Sequence, residues 1–254
     1  MTNFSNEAAE FVYTRTYSRW MEEENRREHW NETVERYVGF LHKHMQDKVP
    51  AKTYTKIYDS ILSFDVMPSM RSLWTAGPAA EQDNVCMYNC SFQIVDNPIA
   101  FSEALYILMC GTGYGFSVEE KYTSKLPEVA TLCHEGYTKK YTIEDSKRGW
   151  ANSTRLLIDS LYEGHDVEMD YTDIRPKGSR LYTMGGRSSG PEPLVQLHSF
   201  IREVFNNAQG RQLTPIECHD IMNQIAEIVV VGGVRRSSQI SLSDLSDTSM
   251  AQAK

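Results

Sequence analysis

No apolar stretch in this chain approaches the roughly 20 residues that a membrane-spanning helix needs. The opening MTNFSNEAAEF lacks the basic-then-apolar order of a secretory signal. Basic residues are in deficit, with 26 lysines and arginines against 34 aspartates and glutamates and a formal charge of −8. A sequence-independent grip on nucleic acid needs a basic surface that displaces counterions, so neither nucleic acid nor a membrane is the expected partner. An anionic ligand must find positive charge locally. Cysteine is sparse and odd in number, at Cys86, Cys90, Cys110, Cys133 and Cys218. That is not the even framework of a small secreted domain, and free thiols in a cytoplasmic protein are expected. Repeats, heptads and low-complexity tracts are also missing. What remains is ordinary globular composition, 41% hydrophobic and 24% charged over 254 residues, ample for a core.

Periodicity predicts helices near the start, a strand-rich middle and strong helices later. RREHWNETVERYVGFLHKHM sets Trp30, Val34, Tyr37 or Val38 and Leu41 on one helical face. CMYNCSFQIV reads as a strand, NPIAFSEALYILMCG as a helix ended by Gly111, and GTGYGFSVEE as glycines leading into another strand. In YTIEDSKRGWANSTRLLIDSLYEG, Thr142 stands three residues before Asp145, a capping-box variant, and Gly164 is a terminator. PEPLVQLHSFIREVFNNAQG puts Leu194, Leu197, Ile201, Val204 and Phe205 on one face. TPIECHDIMNQIAEIVVVGG has Thr214 as N-cap, Pro215 at the first helical position, Glu217 closing the box and Gly232 as the stop. Alternating strands and helices point to an α/β core behind a helical N-terminal region.

Three glycine-rich segments invite a phosphate. In IVVVGGVRRSSQISL, Gly232 and Gly233 precede Arg235 and Arg236, a mobile loop with two permanent charges. Pairing of these arginines with surface carboxylates is the structural alternative. LYTMGGRSSGPEP holds Gly185, Gly186 and Arg187 ahead of a helix that begins near Pro191, where unpaired N–H groups favour an anion. GTGYGF is not a dinucleotide fingerprint, because the order here is helix, glycines, strand. Cys86 and Cys90, placed on one strand, have side chains on the same face roughly 13 Å apart and cannot bond. Cys133 beside His134, and Cys218 beside His219, lack zinc-site spacing, so no metal is expected. By these rules alone Cys90 is packing.

The ordered blocks MPSMRSLWTAG, YNCSF, CGTGYGFSV, IEDSKRGWANS, DIRPKGSRL, MGGRSSGPEPL, GRQLTPIECHDIMNQIAEIVVVGGVRRS and ISLSDL resemble those of the class II, adenosylcobalamin-dependent ribonucleotide reductases. The start, YTRTYSRWMEEENRREHWNETVERYV, is similar to the monomeric ribonucleoside-triphosphate branch. The resemblance runs from Phe11 to Leu245. It implies an α/β fold: the N-terminal half of a ten-stranded α/β barrel over 66–254, preceded by a helical region over 1–65. An effector-site insertion is implied at about 119–170, which in the monomeric branch imitates a dimer partner.

By the same resemblance, Cys90 is the N-terminal member of the reducing cysteine pair, and Ser69 and Asn89 lie on the substrate side. The two loops, with Gly185, Gly186 and Arg187 in the first and Gly232, Gly233, Arg235 and Arg236 in the second, are specificity loops. They sense a deoxynucleoside triphosphate effector, with Arg175 and Asp96 at effector contacts. The implied cofactor is adenosylcobalamin, with no residue here assigned to its cobalt, and the implied reductant is a dithiol or a thioredoxin-like protein. The family's radical cysteine, second reducing cysteine, catalytic glutamate and C-terminal thiol relay have no counterpart before SDTSMAQAK. The expectation is therefore an enzyme portion inactive alone and completed by a C-terminal chain. An inactive nucleotide-binding regulatory remnant, or a truncated product, is the alternative.

Overall fold

The computed structural model describes residues 4–133, 139–181, 186–229 and 237–253. They pack as two compact units, 1–88 and 89–254. Gly185, Gly232, Gly233, Arg235, Arg236 and His134 lie outside the described residues. No helix among those described is long and apolar enough to cross a membrane.

In the first unit, α1 (Glu7–Thr16) leads to a small antiparallel pair, β1 (Trp20–Met21) and β2 (Arg26–Arg27), and then to α2 (Trp30–Met45) and α3 (Ala51–Leu62). Two short helices follow, α4 (Met70–Thr75) and α5 (Pro78–Gln82). The apolar stripe expected of α2 is present: Trp30, Val34 and Val38 are buried with Tyr13, Tyr54, Ile61 and Leu73. The Trp30 ring stacks on Phe64 at 4.7 Å between centroids, and its N–H donates to the Leu62 carbonyl at 3.1 Å. The indole thereby fills a core position without leaving a buried donor unpaired.

The second unit is built on a parallel sheet ordered β3 (Cys90–Ile94), β4 (Gly113–Ser117), β7 (Gln239–Leu242). Between β3 and β4 runs α6 (Ile99–Met109), and the chain turns at Gly111 in the left-handed region, φ +79°. After the short α7 (Glu120–Thr123) comes a second parallel pair, β5 (Lys139–Thr142) and β6 (Val167–Asp170), joined by α8 (Lys147–Tyr162). Then follow α9 (Glu192–Asn207), α10 (Pro215–Ile228), β7 and the short α11 (Thr248–Ala251). Phe101, Leu105, Tyr114, Phe116, Leu157, Leu197, Ile201, Phe205, Ile221 and Ile225 belong to one buried cluster, in which helices cover one face of the main sheet. The capping box of α10 forms as the sequence demands: Thr214 accepts from the Glu217 backbone N–H, and Glu217 accepts in return.

Three sequence expectations are corrected. Cys86 and Cys90 do not share a strand: Cys86 is buried in a 3-10 turn over Asn84–Met87, and β3 begins at Cys90. The Asp83 carboxylate accepts from the Val85 N–H and starts that turn, which periodicity in an apolar run did not reveal. The cap of α8 is Ser146, which accepts from the Gly149 N–H at 2.9 Å, whereas Thr142 is the last residue of β5. Of the three glycines of GTGYGF, moreover, only Gly111 precedes β4, and Gly113 and Gly115 lie inside it.

Gly149 sits where a Cβ would fall well inside contact distance of the Glu144 carbonyl. In an open helix alanine is worth about 1 kcal/mol more than glycine. Here Gly149→Ala is expected to do the opposite and lower stability by about 1–3 kcal/mol through overpacking, read as a lower urea midpoint.

Candidate functional site

The register of the main sheet determines what stands around Cys90. Cys90 pairs with Gly113, Phe92 with Gly115, Gly115 with Ile240, and Ser117 with Leu242. Side chains alternate along a strand, so Cys90, Phe92, Ile240 and Leu242 point to one face. Tyr114 and Phe116 point to the other and are buried beneath the helices. The first face is uncovered within the unit: Phe92 is 57% exposed, Ile240 68% and Leu242 47%, and Cys90 is exposed with them. Parallel sheets are normally buried on both sides, so an apolar face left open is unusual for one.

Glycine keeps the floor beside the thiol clear. A Cβ at residue 113 would come within 3.9 Å of the Cys90 sulfur, and one at 115 within 3.0 Å of the Phe92 ring. Asn89, at the edge of this face, is exposed, and its carbonyl accepts from the Gly113 N–H at 2.8 Å. Ser69 belongs to the first unit, exposed at the N-cap of α4. The other thiols are placed differently. Cys86, Cys110 and Cys218 are buried, and burial first, then the Glu217 charge, pushes the Cys218 thiol pKa up. Cys133 is exposed and belongs to no strand.

The residues expected at an effector are held one by one. Arg175 forms an ion pair with Asp145, Nε to Oδ2 at 2.5 Å, immediately before the Ser146 cap of α8. Arg187 is exposed and donates to the Gly178 carbonyl at 3.0 Å. Arg180 and Arg187 form an isolated antiparallel bridge, and the Leu181 N–H reaches the Gly186 carbonyl. Gly186 has φ +91°, a conformation that favours glycine. Asp96 follows β3 and faces Lys125 at 3.9 Å. No hydrogen bond or ion pair among the described residues joins Asp96, Arg175, Gly186 and Arg187 to one another.

Sequence reasoning missed the buried tie that binds this region. His198 on α9 is fully buried, with Tyr171 Oη at 2.8 Å from Nδ1 and Thr154 Oγ1 of α8 at 3.2 Å from Nε2. The Thr154 hydroxyl donates to the Trp150 carbonyl, so it accepts from Nε2–H and leaves Nδ1 to accept from Tyr171. Desolvation, with the Arg202 charge adding to it, pushes the imidazole down to about 3. A lone histidine among apolar helix positions carries no sequence signal for this role. No group of three or more His, Cys, Asp or Glu side chains among the described residues is placed to hold a metal ion.

Residues 1–78 match the family model described as the ribonucleotide reductase alpha domain, and residues 119–205 the insertion domain of B12-dependent ribonucleotide reductase. The chain is 27% identical to an adenosylcobalamin-dependent ribonucleoside-triphosphate reductase of Levilactobacillus brevis and 28% identical to one of Lactobacillus leichmannii. Each alignment takes in 96% of this chain and 42% of the relative. A crystal structure of a B12-dependent, class II ribonucleotide reductase superposes with a TM-score of 0.81 at 26% identity, over 94% of this chain and 42% of that one. The chain thus spans less than half the length of the relatives it matches.

Two outcomes follow from the geometry. A maleimide is expected to label Cys90 and Cys133 rapidly in the native protein, and Cys86, Cys110 and Cys218 only after denaturation, counted by mass spectrometry. Because His198 titrates near 6.5 when unfolded and near 3 when folded, the unfolded chain alone binds its proton between those values. Its contribution is complete above pH 6.5 and is lost as pH falls toward 3. Unfolding free energy is expected to drop by about 2–3 kcal/mol between pH 6.5 and 4.5 on this account, and His198→Gln removes that part of the slope.

Proposed function

Because the chain belongs to the class II, B12-dependent ribonucleotide reductases and corresponds to the N-terminal part of its relatives, we propose that it supplies one redox cysteine and the effector-sensing loops of an enzyme that reduces ribonucleotides to deoxyribonucleotides. The observation that carries this reading is the position of Cys90 on the uncovered face of a parallel sheet, over a floor kept open by Gly113 and Gly115. The 66–254 region is the first half of the α/β barrel, and the 1–65 region its helical lead.

Cys90 acts as a stoichiometric reductant. Its thiol and a second thiol from the complementary half give up two electrons and two protons, and a sulfur–sulfur bond forms. The ribose 2′ carbon–oxygen bond breaks and the hydroxyl leaves with one of the protons as water, while the two electrons and the other proton form the new 2′ carbon–hydrogen bond. A dithiol or thioredoxin-like protein then returns both thiols. Ser69 and Asn89 stand on the substrate side. The glycine-rich loops, with Arg175 and Asp96, receive a deoxynucleoside triphosphate that selects the substrate base.

Adenosylcobalamin is the cofactor of the assembled enzyme. His198 and His219, two of the described histidines of the second unit, do not fit a cobalt ligand: both ring nitrogens of His198 are engaged, and His219 is bonded to Ser241 at 3.0 Å and Asn223 at 2.7 Å. This chain is therefore assigned the thiol and the loops, and no step through the cofactor.

Phe92, Ile240 and Leu242 leave an apolar surface that a complementary C-terminal polypeptide covers, and a stable cover of this kind buries on the order of 1,000 Å² or more. Mixing the chain with that polypeptide, adenosylcobalamin, ribonucleotide and a dithiol is expected to yield deoxynucleotide over many turnovers. The chain alone yields none, and Cys90→Ser abolishes multiple turnovers. Binding of deoxynucleoside triphosphate without formation of a complex that turns over, scored by gel filtration and product analysis, would instead establish a regulatory remnant.

A further inference from the structure

The first unit contains a polar clasp whose purpose composition does not disclose. The helix α4 has six residues, too few to hold together by its own hydrogen bonds. Its last carbonyls have no donors within the helix. Arg36 of α2 supplies them, with Nη1 donating to Leu73 at 3.1 Å and to Ala76 at 2.8 Å. Arg19 adds a bond from Nε to the Trp74 carbonyl at 3.1 Å, its guanidinium 5.9 Å from the centre of that ring. Two cations thus close the negative end of the helix.

The other edge of Arg36 forks onto Glu28, Nε to Oε1 at 2.7 Å and Nη2 to Oε2 at 2.9 Å. The two side chains are 15% and 8% exposed, so water competes weakly for the fork. Glu28 also accepts from the Arg19 backbone N–H at 3.1 Å and the Thr33 hydroxyl at 2.8 Å. Although burial opposes it, Arg36 and these donors hold the Glu28 carboxyl below its usual range. Arg36 is committed on both edges and has one geometry. Gly77, at φ +97°, lies against the clasp, where a Cβ would stand 3.5 Å from the Arg36 side chain.

At the other end of α4 stands Ser69. Its carbonyl accepts from the Leu73 N–H at 2.9 Å, within the same turn whose far side Arg36 grips. Its side chain makes no capping bond, although serine at this position usually does, so the hydroxyl is presented and not consumed. We infer that Glu28 and Arg36 are positioning residues for Ser69: the clasp fixes the register of α4, and α4 fixes the direction in which Ser69 faces a ribonucleotide. This rests on the reading of Ser69 as a substrate-side residue.

The test is a double-mutant cycle on ribonucleotide affinity, measured by calorimetry in the assembled, cofactor-free protein, with deoxynucleoside triphosphate affinity as the internal control. Arg36→Lys keeps the charge and loses the fork. It is expected to weaken ribonucleotide binding about tenfold and leave effector binding within twofold. In a Ser69→Ala background the same change is expected to cost less than twofold, because its route is already cut. If the two losses multiply independently, or Arg36→Lys leaves affinity unchanged while Ser69→Ala lowers it, the positioning role is overturned and the clasp is only structural. If Ser69→Ala itself has no effect, the substrate-side reading of Ser69 fails, and this inference with it. Should Arg36→Lys not fold, Arg19→Lys, which loosens the hold on the Trp74 carbonyl and ring and leaves the Glu28 fork intact, is put through the same cycle with the same expectations.

Discussion

The three-stranded parallel sheet of the second unit carries its helices on one side only, and most of what this chain can do follows from that asymmetry. Tyr114 and Phe116 are locked beneath α6 and α10, while Cys90 and Phe92 on β3 and Ile240 and Leu242 on β7, which face the other way, stand in the open. A one-residue slip of β3 against β4 would turn Cys90 toward the helices, so the register of the sheet sets which way residue 90 faces.

Much of this was legible from residue spacing. The capping box at Thr214 and the stripe of α2 follow from local rules that need no partner, and the structure contains both. The strand after Cys90 was legible, but its start was not, because Asp83 folds the preceding residues into a 3-10 turn by a side-chain bond that hydrophobic periodicity does not register. Thr142 misled for a related reason: Ser146 offers the same capping chemistry four residues later, and pairing with β6 claims Thr142 for a strand.

The site was legible in a different way. Cys90 by itself reads as packing, and only the order of motifs along the chain singled it out. The open face and the glycine floor depend on which strands become neighbours, and β7 lies more than a hundred residues from its partner β4. His198, Glu28 and Arg36 were invisible because their roles depend on contacts between distant elements. A buried ionic or imidazole group is stable only when every partner is in place, so such groups act as checks on the assembled fold more than as sources of stability.

The pairing of Arg175 with Asp145 has a consequence for any anion that comes to this arginine. The incoming group meets a guanidinium whose charge is already balanced, so occupancy is an exchange of counter-ions instead of the filling of a bare positive site. The displaced carboxylate does not go far: it lies one residue ahead of the cap of α8, at the end of that helix where partial positive charge collects. The helix can therefore take over part of the neutralisation that the arginine gives up, and the swap draws less on solvent than two independent charges would.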